Sequence, residues 1–397
     1  MYTGQTVFSQ LMASIPSRRF YTCVKRYGGN RKTSQIRCLD LFYIMAFAQL
    51  TRRHSLRGTV ACLRSLPHHW HHMGLRCKKV SRTTLADALA KRDWKIFADL
   101  AADLLSQARK LYADEPLPHQ LDASCYAMDS TTIDLCLSLF PWAPFRQRKA
   151  AIKLHTLMNL QGSLPEFIWI TSGKVHDVKA IDRIPIMPGS YYIFDRGYMD
   201  FARLYSIQCL RAFFVIRAKK NLDISVLEDR LAQPEKRVFS DQLVKLNGYK
   251  SSRQYPDVFR LVKYYDNENN RYFQFLTNDL ELPAQLVADL YKSRWDIEQF
   301  FRWIKQNLKI QVFFGTTANA VKTQIWIAIS VYVLIAIVKK RQALKPSLQN
   351  IMQVTGLSLF ERRPLIELFS DPKDRPAEGN LDNMLPLSLL HNSALTN

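Results

Sequence analysis

Acidic residues are scarce at the start of this 397-residue chain: between positions 1 and 80 Asp40 is the sole carboxylate, against fourteen Lys or Arg. That stretch therefore carries +13 of a formal net charge of +22. So lopsided a segment attracts polyanions, and nucleic acid is the partner it predicts, because each neutralised phosphate releases counterions. Paired cysteines are missing too. The seven present (Cys23, Cys38, Cys62, Cys77, Cys125, Cys136, Cys209) are odd in number and never form CxxC, which excludes a disulfide framework and suits free thiols in a reducing, cytoplasmic setting. No apolar run opens the chain, and Arg18 and Arg19 fall within its first twenty residues, so no cleavable signal is expected. The most apolar run, Ile325 to Val338, is fourteen residues, short of the roughly twenty that a bilayer span requires. It predicts a buried core helix and no membrane partner. His68-His69-Trp70-His71-His72, with Cys77 nearby, lacks the spacing of a zinc finger and is read as a surface or packed cluster.

What remains is an ordinary globular composition, 47% hydrophobic and 23% charged, long enough for two to four structural units. From Phe8 to about Leu111 the pattern is helical, with breaks at Tyr27-Gly28-Gly29-Asn30 and near Leu66-Pro67. A linker is expected at Leu117 to His119, and strands follow. The first ends in Tyr126-Ala127-Met128-Asp129; the next run Lys153 to Leu160, Glu166 to Thr171, Tyr191 to Phe194 and Phe213 to Arg217. Residues 221 to 280 are polar, with strand-like runs at Phe259 to Tyr265 and Tyr272 to Leu276, and predict a β-rich insertion. Pro283 opens a long helix reaching about Leu308, and another extends through Lys340. The Pro-, Asp- and Asn-rich tail after Ser370 is expected to be poorly ordered.

Carboxylates at strand ends are the first candidates for chemistry. Tyr191 to Phe194 deliver Asp195 to a strand's carboxyl end, and Gly197 permits a tight turn and close approach of a ligand. Asp129 stands at the end of the first strand in the same way, with Asp122 and Asp134 as nearby substitutes; the plain alternative for either residue is a capping or turn Asp. A third acid comes from the helix after Pro283. At about 100° per residue, Tyr291, Arg294, Glu298 and Lys305 fall within about 60° of one another, beside the apolar set Leu290, Ile297, Phe300, Phe301, Ile304 and Leu308. The polar stripe thus borders the buried face and looks into a cleft. An exposed i, i+4 ion pair between Arg294 and Glu298 is the alternative, but it would not require a Tyr and a Lys aligned at the core margin. Converging hard oxygen ligands suit two divalent ions roughly 4 Å apart, the arrangement that cuts and rejoins phosphodiesters.

The motifs AMDST with Asp129, YIFDRGY with Asp195, and YKSRWDIEQFFRWIK with the spacing Y-x2-R-x3-E-x6-K at Tyr291, Arg294, Glu298 and Lys305 resemble those of DDE transposases of bacterial insertion sequences, in the insertion-sequence-four group. The resemblance covers about residues 120 to 340. It implies an α/β fold: a ribonuclease-H-like catalytic core with a β-rich insertion, preceded by a helical basic N-terminal domain. The implied boundaries are a DNA-binding region 1–115, core 116–220, insertion 221–280, core 281–345 with the Glu298 helix, and a partly disordered region 346–397. It further implies metal-dependent cleavage at the ends of an insertion sequence and strand transfer into target DNA, through hairpin ends. Asp129, Asp195 and Glu298 would be catalytic and would bind two Mg2+, with Mn2+ as substitute. Tyr291, Arg294 and Lys305 would hold DNA phosphates. By their position between the first two strands, Arg146, Arg148 and Lys149 are a basic loop able to reach DNA next to the metals, with a solvated turn as the alternative. The implied partners are double-stranded DNA, as terminal inverted repeats and target, and a second copy of the chain in a synaptic dimer, in a bacterial cytoplasm at the nucleoid. Family members stack a flipped nucleotide on an aromatic of the insertion; that segment has no Trp here, so the residue must be a Tyr or Phe, such as Tyr255, Phe259 or Tyr264. A structure-specific nuclease on the same core, or a DNA-binding protein without catalysis, would share many of these features, and strand-transfer products would separate them.

Overall fold

The computed structural model describes residues 4–31, 33, 35–116, 121–147, 149–219, 221–230, 232, 235, 237–268, 270–307 and 313–370. The expected linker at Leu117 to His119 and the tail after Ser370 lie outside these residues.

Six helices come first: α1 (Val7–Met12), α2 (Ser17–Arg26), α3 (Cys38–Leu50), α4 (Leu56–Ser65), α5 (Arg82–Lys91) and α6 (Lys95–Tyr112). Side-chain oxygens set their starts, with Ser55 accepting from the Gly58 amide for α4 and Ser81 from the Thr84 amide for α5, each satisfying a donor that the first turn leaves unpaired. Asp40, the lone acid of this region, is buried. Its carboxylate accepts from the amides of Arg37 at 3.0 Å and Arg76 at 2.8 Å, tying the start of α3 to the segment before α5.

The strands are β1 (Cys125–Leu135), β2 (Pro144–Arg146), β3 (Lys149–Asn159), β4 (Leu164–Ser172) and β5 (Tyr191–Phe194), then α7 (Phe201–Cys209), β6 (Phe213–Arg217), β7 (Ile224–Arg230), β8 (Val238–Leu246), α8 (Tyr249–Gln254), β9 (Phe259–Asp266) and β10 (Arg271–Thr277). They form one sheet in the order β2-β3-β1-β5-β6-β10-β9-β8-β7, with β4 also on β3. Antiparallel β4-β3-β1 followed by parallel β1-β5-β6 is the ribonuclease-H-like arrangement. A 3-10 turn, Asp177–Arg183, lies in the connection from β4 to β5. The segment expected as an insertion contributes β7 to β10, and β10 pairs antiparallel with β6, so these strands widen the central sheet.

Four helices finish the described chain: α9 (Ala284–Ser293), α10 (Trp295–Asn307), α11 (Ala318–Arg341) and α12 (Leu348–Leu357). The single long helix expected after Pro283 is broken at Arg294, where the amides of Arg294 and Ile297 bond back three residues, to Tyr291 and Arg294, a tightening of the turn to 3-10 geometry. Helix α11 is longer than the fourteen-residue run suggested. It has the length and apolarity of a membrane span, yet 89% of its most apolar window is buried inside the protein, against α3, α5, α6 and α12. A helix that is hydrophobic all round is explained by such enclosure.

The two faces of the sheet bury different clusters. Cys125, Ala127, Tyr191 and Ile193 join the core containing α6 and α9 to α11, whereas Tyr126, Met128, Tyr192 and Phe194 join the core of α7 and α8. Alternation along a strand therefore aims the next odd positions, Asp129 and Asp195, toward α9 and α10.

Candidate active site

Three chain segments converge at this point. Parallel pairing sets Met128 opposite Phe194, so Asp129 and Asp195 follow side by side on neighbouring strands. Contrary to expectation, β1 does not end at Asp129. It runs on to Leu135, because residues 130 to 135 pair with β3 as far as Ala150. Asp195, by contrast, does leave the end of its strand, starting a 3-10 turn. Asp122 and Asp134, the possible substitutes, are both exposed.

Helix α9 lies across β5, β6, β9 and β10, and α10 reaches β1. The break between them aims the Arg294 guanidinium into the carboxylates: Nη1 donates to Asp129 Oδ2 at 2.7 Å and Nη2 to Glu298 Oε1 at 2.5 Å. Tyr291, packed on Phe275 with ring centres 4.6 Å apart, donates its hydroxyl to Asp195 Oδ1 at 3.2 Å. Asp129 Oδ1 accepts from the Ser130 amide at 2.7 Å. Arg294, Tyr291 and Glu298 line a cleft of about 480 Å³ that continues over β9 and β10 to Arg271, with Trp295 also on its wall.

Burial pushes the Asp129 carboxyl up to about 6; Arg294 and the Ser130 amide work against that, while Asp195 and Glu298 add to it. Burial likewise pushes the Tyr291 hydroxyl up to about 12, opposed by Arg294 and reinforced by Asp195. The three acids thus repel one another, and one guanidinium offsets them. Three carboxylates against one Arg leave an excess of two negative charges on hard oxygen donors, which fits a divalent cation. Among the described residues no three His, Cys, Asp or Glu side chains close on a common point; Arg294 stands between Asp129 and Glu298.

Behind the acids is a ring that sequence reasoning missed. Ser130 Oγ donates to Asp177 Oδ1 at 2.6 Å, and Lys153 Nζ donates to the same oxygen at 3.1 Å and to the Val175 carbonyl at 3.1 Å. His155 is fully buried beside Asp177; desolvation holds its imidazole at about 4, against the pull of that carboxylate. The buried Tyr198 hydroxyl is pushed far up by desolvation and by Asp129, Asp177 and Asp195. Ser130 and Tyr198 stand inside the motifs AMDST and DRGY, a signal that could have found them; Lys153 and Asp177 carry no local signal.

The remaining expected site residues are spread out. Lys305 is half-buried on α10, about 10 Å beyond Glu298 at 1.5 Å per residue. Arg146 and Lys149 are exposed on the β2–β3 hairpin, and Arg148 lies outside the described residues. Arg294 and Tyr291, expected on DNA phosphates, are engaged with the acids instead. The suggested stacking residues do not suit that role: Tyr255 and Phe259 are fully buried and stacked at 3.8 Å, and Tyr264 is 2% exposed. Aromatic side chains in a polar stretch became core on both faces of the sheet: Tyr255 and Phe259 under α7 and α8, Tyr264 on the face covered by α9. In the His run, His69 stacks on Phe360 at 4.4 Å and His72 Nε2 meets Arg362 at 2.7 Å.

A sheet that gathers acids behind a positively charged helical region is the architecture of enzymes that act on DNA phosphodiesters. Residues 120–334 match the family described as "Transposase DDE domain", and residues 3–76 match a domain of unknown function (DUF4372). Transposase y4zB of Sinorhizobium fredii is 33% identical over 298 residues, covering 74% of this chain and 81% of its own length. The transposase of insertion sequence element IS5377 from Geobacillus stearothermophilus is 34% identical over 210 residues, 52% of this chain and 55% of its own length. A solved piggyBac transposase synaptic complex with hairpin DNA aligns with a TM-score of 0.46 and 9% identity, over 94% of this chain and 83% of that one, too loosely for residues to be matched. The chain belongs to the DDE transposase family, and is a DNA-cleaving and strand-transferring enzyme of the kind encoded by insertion sequences, similar to the insertion-sequence-four family. DDE transposase domains depend on divalent metal ions.

Proposed function

We propose that Asp129, Asp195 and Glu298 are the three acids of the reaction and hold two Mg2+, with Mn2+ as substitute. Bound there, the metal ions would activate the attacking oxygen and stabilise the leaving one. Water attacks phosphorus at a transposon end and the P–O3′ bond breaks, freeing a 3′-hydroxyl. That hydroxyl attacks a phosphodiester of the opposite strand, forming a hairpin and expelling the flanking strand's 3′-hydroxyl. Water reopens the hairpin, and the 3′-hydroxyl then attacks a target phosphodiester, displacing the target strand's 3′-oxygen. Arg294 serves as the internal counter-cation that keeps three acids together before metal and DNA arrive, and its fork can pass to a phosphate when they do. Tyr291 orients Asp195. The Ser130–Asp177–Lys153 ring supports Asp129 from behind, while Lys305 and the hairpin bearing Arg146, Arg148 and Lys149 hold flanking phosphates.

In this reading residues 1–115 form the DNA-binding region, residues 116–220 and 281–345 the core, and 221–280 its β-rich extension. Two copies act together, because two terminal repeats must be cut and joined in one event.

The observation that carries the proposal is the Arg294 guanidinium bonded at once to Asp129 and Glu298, 165 and 4 residues away in sequence, with Asp195 held by Tyr291 one helical turn before it. The test is Glu298→Gln, which keeps the shape and removes an anionic ligand. Mg2+-dependent cleavage of transposon-end DNA should fall by about 100- to 1000-fold, the scale on which losing one group that stabilises the transition state acts, with DNA binding retained. Unchanged cleavage would overturn the assignment.

A further inference from the structure

A second cavity, of about 590 Å³, opens in the helical region, walled by His54, Ser55, Arg57, Arg82, Phe313 and Phe314. Among the described residues its lining contains no carboxylate. We propose that this cavity is a DNA-backbone site, in which Arg57 and Arg82 hold phosphates and the two Phe rings pack against the sugars of the same strand. The proposal rests on the reading of the chain as a DNA enzyme and deepens it by naming where the positive charge of the amino end is applied.

Four observations support it. Both guanidinium groups are on exposed residues, and among the described residues neither takes part in an ion pair or hydrogen bond. Arg57 lies in the region of fourteen cations and one acid, residues 1–80, and Arg82 just beyond it, so both are charges without an internal purpose. Both side chains also stand at the first residues of ten-residue helices that start at the cavity, α4 after Ser55 and α5 after Ser81, so the positive ends of two helix dipoles add to them.

The cavity's aromatic wall also touches the loop that leads to the basic hairpin. Phe313 and Phe314 belong to the connection that leaves α10, the Glu298 helix. That connection packs on the loop before β2: Phe313 meets Phe140 edge-on with centres 6.1 Å apart, and Trp142 Nε1 donates to the Thr316 carbonyl at 2.7 Å. The same loop leads into the hairpin that exposes Arg146 and Lys149. The connection that walls the cavity therefore also braces the loop leading to the basic hairpin, and a DNA strand held by one can continue to the other. The chemistry favours DNA over an acidic peptide, because a positive rim over aromatic rings matches an alternation of phosphate and sugar.

The experiment uses the full-length protein, a fluorescein-labelled 30-base-pair duplex and anisotropy over a range of NaCl. Arg57→Ala/Arg82→Ala should flatten the slope of log K against log[salt] by about 1.8, and weaken binding about 60-fold at 0.1 M salt, the counterion release of two phosphates at about 0.9 each. Arg57→Lys/Arg82→Lys should keep the slope. The control Arg18→Ala/Lys25→Ala, which removes the same charge from exposed positions on α2, should change the slope by less than half as much. An unchanged slope in the first variant, as an acidic protein partner would produce, overturns the proposal, and so does an equal change in the control. The outcome is separate from that of Glu298→Gln: this variant should lose binding and regain cleavage at saturating protein, whereas Glu298→Gln should bind and not cleave.

Discussion

Asp129→Asn offers a test of the site's electrostatics that needs no transposon. In the metal-free protein, burial and the two neighbouring acids raise the Asp129 carboxyl from an ordinary 3.8 to about 6 despite Arg294. The folded chain therefore binds that proton more tightly than the unfolded chain. The stability associated with protonation is fully present below pH 3.8 and is lost as pH rises through about 6. A shift of about 2.2 units, at 1.36 kcal/mol each, makes the ionised carboxylate a burden of about 3 kcal/mol at pH 8. Asn keeps the shape and the acceptor for the Ser130 amide and never ionises. In EDTA, urea unfolding followed by tryptophan fluorescence should show the variant more stable than the parent by about 3 kcal/mol at pH 8, with the gap closing toward pH 4. Saturating Mg2+ should close most of that gap: a ligand at a hundredfold excess over its Kd adds about 2.7 kcal/mol to the parent and much less to the variant. A variant less stable than the parent at pH 8 in EDTA, or a gap independent of pH, would refute the argument, because the Arg294 ion pair would then outweigh desolvation and repulsion.

Two further substitutions test the scaffold. Arg260 and Asp241 form a bidentate pair at 2.8 and 2.7 Å with side chains 5% and 8% exposed, and Arg260 also donates to the Leu282 carbonyl before α9; Arg260→Ala leaves Asp241 buried without its countercharge and should destabilise by about 3–5 kcal/mol, a loss that a urea midpoint shift under 1 kcal/mol would contradict. Leu334 is fully buried on α11, so Leu334→Ala should lower stability by about 2–5 kcal/mol in aqueous buffer; a neutral result would mean that α11 is not the spine of the interior.

Much of the site could be read locally. Four apolar residues bring Asp195 to a strand end, and the spacing of Tyr291, Arg294 and Glu298 puts them on one edge of a buried helix. The Asp129 strand was read too short, because what prolongs it is pairing with β3, whose partners lie 15 (Leu135↔Ala150) to 25 (Ser130↔His155) residues away and whose register leaves no mark on residues 130 to 135 themselves. The break at Arg294 was invisible for a related reason. Neither Gly nor Pro stands there, and the turn tightens where the guanidinium reaches two acids supplied from elsewhere. Tyr255, Phe259 and Tyr264 were misjudged because composition reports a polar segment, not which of its aromatics a returning helix covers.

The sequence by itself determined the segregation of charge, the faces of each strand and helix, and the kinds of side chain offered to a cleft, since these follow from covalent order and from periods of 2 and 3.6. Tertiary structure alone decided that Arg294 joins Asp129 to Glu298 while Tyr291 holds Asp195 on the neighbouring strand, and that the lone acid of the basic region is a buried clamp. Periodicity sets the direction in which a side chain points. Which group it meets depends on the pairing of strands and helices 60 to 170 residues apart, and that is settled only when the whole chain packs.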